Sequence, residues 1–233
     1  MRIEGDVRVI WRDDRVLPAE LAAVDALKLR IWNVGFKRFE DLANLPNLVE
    51  LTVLDWKAPS FEPLRNLVRL RTLAISHFPQ VDSFAPLAGL TNLESLTLQT
   101  LPSWDASRKR QHVDSFAPLA GLTRLRTLNL SGVLAEDGEL SYLGGLVRLE
   151  LLAIGNMYTQ EQFARLAARI PGASSSFLAP YLEAEWSVCK KCGAAKVMLS
   201  GSDVPNPKVI CPSCNHKKFD TTVARFEELR AAS

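Results

Sequence analysis

Apolar residues along the chain fall into a six-residue unit, apolar-x-x-apolar-x-apolar, that returns at near-regular intervals. It reads Leu48-Val-Glu-Leu51-Thr-Val53, Leu70-Arg-Thr-Leu73-Ala-Ile75 and Leu93-Glu-Ser-Leu96-Thr-Leu98, then Leu125-Arg-Thr-Leu128-Asn-Leu130 and Leu149-Glu-Leu-Leu152-Ala-Ile154. A looser copy is Ala26-Leu-Lys-Leu29-Arg-Ile31, and the central apolar positions are spaced by 22, 22, 23, 32 and 24 residues. Alternation over the last positions of each unit predicts a short strand with one face buried. A second apolar pattern follows each unit at a spacing of three: Phe39/Leu42/Leu45, Phe61/Leu64/Leu67, Phe84/Leu87/Leu90, Phe116/Leu119/Leu122, Leu140/Leu143/Leu146 and Phe163/Leu166. That spacing predicts a short helical or 3₁₀ turn. Pro63, Pro86 and Pro118 stand near the start of three of these turns, where a missing N–H is tolerated.

A repeat in the low twenties with an apolar-x-apolar strand is the signature of a leucine-rich repeat. The expected fold is therefore an α/β repeat solenoid, with a parallel sheet on its concave side and short helices or 3₁₀ turns on its convex side. No single repeat can bury its apolar face, so neighbours must share one core. We read residues 1–24 as an N-terminal cap, 25–180 as the solenoid and 181–233 as a small zinc ribbon with a C-terminal helix. Within the cap, Val7–Trp11 reads as a strand and Pro18–Val24 as a short helix, with Ile10 and Trp11 as plugs. Residues 170–186 read as a fading repeat whose Tyr181, Leu182 and Trp186 pack toward the C-terminal segment.

One duplication is complete: Val81–Thr91 and Val113–Thr123 are identical, at an offset of 32. The surplus residues lie within Pro102–His112, which carries Trp104 and a basic run, and should loop out onto the surface. The motif order, Pro-Leu followed by leucines at every third position, resembles the bacterial internalin-like and SDS22-like leucine-rich repeats over roughly residues 25–170. The resemblance implies the fold and a role in binding other proteins. Repeats of that kind usually carry an asparagine three residues after the second strand leucine. Here the position holds Val34, Trp56, Phe78, Leu101, Val133 and Met157, which predicts a corner that is packed, not hydrogen-bonded.

All four cysteines fall near the C-terminus, as Cys189-Lys-Lys-Cys192 and Cys211-Pro-Ser-Cys214. Two such knuckles 18 residues apart match a structural zinc site. Four thiolate ligands close the tetrahedron and leave no position for a catalytic water. His216 could compete as a ligand, but four thiols make it the lesser choice. Gly193 and Asn215 follow the knuckles and tolerate the left-handed turn expected there. Between them, 195–199 and 208–210 read as hairpin strands. A helix is expected from Asp220 to Leu229, capped by Asp220 or Thr221, with Val223, Phe226 and Leu229 on one face.

The net charge of +2 supplies no general attraction to nucleic acid or an anionic membrane. The N-terminus lacks the apolar stretch of a signal peptide, and no segment has the apolar length of a spanning helix. We expect a cytoplasmic protein. Three histidines in separate segments and the lack of a phosphate loop or nucleophile elbow argue against an enzyme. The leading expectation is a module that binds a protein partner on its concave face, to recruit or inhibit it as an immunity-type factor would. Candidate contacts by strand register are Arg30, Trp32, Thr52, Thr97, Gln99 and Asn129, with Asp55 and His77 at the strand ends and Trp104 on the insert. Trp32 is either an aromatic anchor or covered by the cap. The alternative is nucleic-acid binding through the basic knuckles of the ribbon. There, however, eight Lys/Arg face five Asp/Glu over 185–233, an excess that a tetrathiolate zinc centre would largely cancel.

Overall fold

In the computed structural model, described over residues 1–11, 16–32, 35–101, 103, 104, 107 and 109–233, the repeated units become neighbouring strands of one sheet. These strands are β3 (Leu27–Ile31), β4 (Leu48–Val53), β5 (Thr72–Ser76), β6 (Ser95–Gln99), β8 (Thr127–Leu130) and β10 (Leu151–Ile154). They pair in parallel with Leu29, Leu51, Leu73, Leu96, Leu128 and Leu152 in one continuous register. The sequence alignment and the hydrogen-bond ladder therefore coincide. Every strand leucine on this row is buried.

The N-terminal segment takes the same form as the repeats. β2 (Val7–Ile10) pairs in parallel with Lys28–Ile31 of β3, and a 3₁₀ turn at Ala19–Ala23 connects them. β2 and the turn at Ala19–Ala23 thus belong to one more coil. Its outer edge is covered by β1 (Arg2–Glu4), which runs antiparallel to β2. Ile10 is fully buried, while Trp11 is half-buried beneath the Arg2 guanidinium. At the other end, Leu152 N–H donates to Ser174 O, 2.9 Å, so the fading repeat still extends the ladder by one bridge.

The turn sides differ from one another for local reasons. Three coils carry a minimal 3₁₀ turn, at Glu62–Leu64, Ala85–Leu87 and Ala117–Leu119, each with proline in its first two positions. A serine two residues before each turn, Ser60, Ser83 or Ser115, accepts the first N–H of the turn. Proline starts such a turn but cannot propagate it as a donor. The last coil has no proline or glycine between Thr159 and Ile170, and there the turn extends into an α-helix, α1 (Gln160–Arg169), capped by Thr159 Oγ1.

The corner expected to be packed is packed by rings. Trp56, Phe78 and Val133 are buried, and Leu101 and Met157 are half-buried; Val34 lies outside the described residues. Trp56, with Phe78 beside it against Phe61 and Phe84, joins the phenylalanines that open the turns in a continuous file. It runs from Phe36 through Phe39, Trp56, Phe61, Phe84, Phe116, Tyr158 and Phe163 to Phe177, with successive centroids 4.3–6.3 Å apart. Phe84 and Phe116, the paired residues of the exact duplication, stack almost parallel, at 9°.

The insert is only partly a surface loop. Its end forms β7 (Gln111–Val113), which pairs in parallel with β9 (Val133–Ala135) in a separate two-stranded sheet. Gln111 is buried, its amide donating to Val81 O, 2.7 Å. The surplus residues therefore build a second short ladder. Pro102, Asp105, Ala106 and Arg108 of the insert lie outside the described residues.

The C-terminal segment forms an antiparallel sheet of β11 (Tyr181–Val188), β12 (Ala195–Leu199) and β13 (Val209–Ile210), followed by helix α2 (His216–Ala231). The hairpin strands lie where the sequence placed them, but β11 is an addition. Trp186 does not pack inward as expected: it is 66% exposed. The ladder between β11 and β12 skips from Ala184↔Lys196 to Val188↔Ala195, and the bulge turns Trp186 out. Helix α2 begins at His216, earlier than expected, because the second knuckle runs straight into it through Asn215 N–H to Cys211 O and Phe219 N–H to Asn215 O. Phe226 of α2 is buried in the solenoid's own core, and Leu229 packs against it.

Candidate functional site

Two regions gather chemistry-bearing residues. The first is the cysteine cluster. All four Sγ atoms lie within 4.8 Å of one another, with Cys189–Cys214 at 3.8 Å, Cys192–Cys211 at 3.5 Å and Cys192–Cys214 at 3.6 Å. A tetrahedral ion with metal–sulfur bonds of about 2.3 Å has edges of about 3.8 Å. The sulfurs therefore already stand near the vertices that a tetrathiolate metal centre requires.

Local backbone explains how. In the first knuckle, Gly193 N–H donates to Cys189 O and Cys189 N–H to Ala194 O, each 2.8 Å. Gly193 takes φ +74°, a conformation that suits glycine. Asn215 does not adopt the left-handed turn expected of it; its φ is −123°, since the chain there enters α2. The N–H groups of Lys191 and Cys192 point at the Cys189 sulfur and lower its pKa to about 6. The neighbouring sulfurs, Cys192 first, push Cys214 up to about 12.

A polar junction ties this module to the last coil. Asn156 Nδ2 donates to Leu199 O, 2.9 Å, and its Oδ1 accepts from Gly201 N–H, 2.8 Å. Ser202 N–H donates to Tyr158 O, 2.7 Å. Gln160, fully buried, donates its backbone N–H to Asp203 Oδ1, 2.7 Å, and its side-chain amide to Thr222 O, 2.9 Å. Asp203 also pairs with Arg225, 2.8 Å. The backbone N–H of Gln160 and the Arg225 guanidinium hold the Asp203 carboxyl below its ordinary range, although burial acts the other way.

The second region is the concave face. Arg30, Thr52, Thr97 and Asn129 share one row across β3, β4, β6 and β8, and all face away from the core. At the N-terminal end of the face, charges are already paired: Lys28 bridges Asp6 and Glu50 at 2.8 and 3.0 Å, and Arg30 meets Glu4 at 3.4 Å. Trp32 is not covered; it is 41% exposed, with the Arg30 guanidinium 5.9 Å from its ring. Farther along, Gln99 donates to Ser76, 3.1 Å, and accepts from Asn129, 3.0 Å, making an uncharged hydrogen-bonded row. Asp55 is buried rather than presented, bonded through Oδ2 to Lys57, 2.7 Å. His77 meets Trp104 of the insert edge-on, 4.9 Å between centroids. Both residues are candidates from the sequence, but no pattern in the chain signals that the insert folds back onto that strand end.

Among solved structures, the chain is similar to internalin C2 of Listeria monocytogenes, at 23% identity and a TM-score of 0.44, over 58% of this chain and 54% of that one. An internalin, InlF, of the same organism matches at 17% identity and a TM-score of 0.41, over 66% of this chain and 47% of that one. The PEPR1–AtPEP1 structure matches at 15% identity and a TM-score of 0.37, over 68% of this chain and 22% of that one. The chain spans about half the length of the internalins that it matches. No family model matches the sequence, and no curated protein does.

Gly201 gives the junction its sharpest test. It sits at φ +114°, and a Cβ there would lie 2.9 Å from Gln160 Cβ and 3.0 Å from Gln160 N. Gly201→Ala should cost well over 1 kcal/mol, since alanine opposes both the dihedral and the space. Gly172→Ala, where a Cβ meets nothing within 4 Å, should leave thermal stability nearly unchanged. Equal melting temperatures for the two variants would contradict the junction as described. The strand register and the packed coils make this chain a leucine-rich-repeat solenoid that carries a four-cysteine module at its C-terminal end.

Proposed function

We propose that the chain is a non-catalytic interaction module that binds a protein partner on its concave face, with zinc held structurally by Cys189, Cys192, Cys211 and Cys214. The observation that carries the partner reading is the make-up of that face. A row of small, uncharged side chains, Thr52, Thr97 and Asn129, runs from an end where exposed Trp32 stands against Arg30, which combines a shallow trough with an aromatic anchor of the kind that protein interfaces use. Arg30, Thr52, Thr97, Gln99 and Asn129 line the trough. Recruitment or inhibition of the partner, in the manner of an immunity factor, is the role we assign.

Zinc is the ion of choice because four thiolates at tetrahedral spacing favour it over oxygen-seeking cations. The ribbon has a small core of its own, Val197, Leu199, Val204 and Ile210, too little to hold a segment of this size without a metal. Four unbridged thiols suit a reducing compartment, and we assign the cytoplasm. No helix among the described residues is long and apolar enough to cross a membrane. The non-catalytic reading is supported by the dispersal of the histidines: His77 lies at the strand ends, His112 pairs with Glu136 on β7, and His216 opens α2.

A second reading rests on Trp186, which stands out from the bulge of β11 close in sequence to exposed Lys190 and Lys191. An exposed indole beside cations can stack a base and meet a phosphate. One experiment separates the two. Capture from the source lysate, with and without nuclease and at two salt concentrations, is compared for the unaltered chain and a Trp32→Ala/Thr97→Lys variant. We expect one nuclease-resistant protein partner, lost in the variant. Nucleic acid recovered equally by both chains and released by salt would move the function to the ribbon. Metal analysis of the same purified material should give about one zinc per chain, and a metal-free folded ribbon would refute the zinc assignment.

A further inference from the structure

The rim at the C-terminal ends of the strands holds two buried polar atoms without a hydrogen-bond partner among the described residues: Oδ1 of Asp55 and Nδ1 of His77. The two residues occupy equivalent places in adjacent coils, 22 residues apart like the strands that lead to them. Asp55 is only 8% exposed, and leaving a buried acceptor unfilled costs about 1–3 kcal/mol. His77 also sits at φ +66°, uncommon for a residue other than glycine. Its backbone is pinned there, with N–H donating to Gln99 O, 2.8 Å, and its carbonyl accepting from Trp56 N–H, 2.9 Å. Unfilled buried groups and a pinned, unusual backbone together mark a place shaped for something other than stability. The solenoid's one insertion brings Trp104 to this spot.

Resting on the protein-partner reading above, we propose that this rim is a socket for an arginine side chain of the partner. Asp55 Oδ1 and His77 Nδ1 each accept a guanidinium N–H. Trp104 turns about its side-chain bonds from its edge-on position to cover the guanidinium face. Lys57, exposed enough to turn into solvent, yields its place beside Asp55.

The chemistry selects arginine over its competitors. With His77 as its Nε2–H tautomer, both open positions are acceptors, and the occupant must offer donors only. A guanidinium has five N–H donors in a fixed plane and no acceptor, and its flat face lies well against an indole. An ammonium is a compact, strongly hydrated charge without a plane to stack. A primary amide brings an oxygen for which no donor is waiting. Burial, helped by Lys57 and opposed by Asp55, lowers the pKa of His77 and favours the neutral ring, which has one acceptor nitrogen.

The test uses the whole zinc-loaded chain and three small probes: the N-acetyl, N-methylamide derivatives of arginine, lysine and glutamine. Each is titrated while NMR follows the His77 ring and the Trp104 indole N–H. We expect saturable shifts with the arginine probe, at millimolar affinity because one side chain carries few contacts. Affinity should fall about tenfold in Asp55→Asn, the loss of a charge-assisted bond. It should fall also in Trp104→Ala, a variant away from the core that keeps the site measurable if Asp55→Asn proves unstable. Absence of saturation with the arginine probe overturns the proposal, as does equal or tighter binding of the lysine or glutamine probe. Probe binding without any captured partner would sink the partner reading and leave the socket standing. A captured partner with no probe binding would do the reverse.

Discussion

No coil of this protein has a core of its own, and that constraint governs the rest of the structure. Each contributes a strand leucine pair on one side and a turn residue, usually phenylalanine, on the other. The space between is filled only when the next coil stacks upon it. The file of rings from Phe36 to Phe177 makes this visible, since Phe39 meets Trp56, Phe61 meets Phe84 and Phe84 meets Phe116, each across the boundary between neighbouring coils. Stability is therefore largely a nearest-neighbour property, and the two ends, where a neighbour is missing, are where special structure is needed.

The two ends solve that problem differently. At the N-terminus, β2 adds a coil and β1 turns back across its edge. At the C-terminus, the last coil receives α1, and α1 in turn is covered by α2, whose Phe226 enters the solenoid core. Helix α2 starts at His216, two residues after Cys214. A metal that fixes the knuckles therefore also fixes the start of the helix that closes the solenoid. The hydrogen bonds of Asn156 and Gln160 to the ribbon complete the closure. On this view the cysteine module is the solenoid's terminal coil in another form, and the concave face owes part of its shape to it.

How much of this could be read from the chain depends on the range of the forces involved. Strand register was legible because a leucine on the wrong face would expose an entire row, so the 22-to-24-residue spacing fixes the pairing. The clustering of the four cysteines was legible because two short knuckles encode most of its geometry locally. The insert was not: Trp104 meets His77 through a fold-back that no periodic pattern records. Trp186 was misjudged because its exposure depends on a bulge against a partner strand, which is a property of two segments. The start of α2 was missed for a similar reason, since the knuckle and not a capping side chain sets it.

Amide hydrogen exchange with and without a strong zinc chelator tests this view of the C-terminal end most directly, because exchange reports opening coil by coil. Metal removal should strip protection from β11–β13 and α2, and should also loosen α1 and the Asn156–Gln160 segment, while β3–β6 stay protected. If α1 and Asn156–Gln160 kept full protection after the ribbon had opened, the module would be a mere appendage and the account of it as the solenoid's closing element would be wrong.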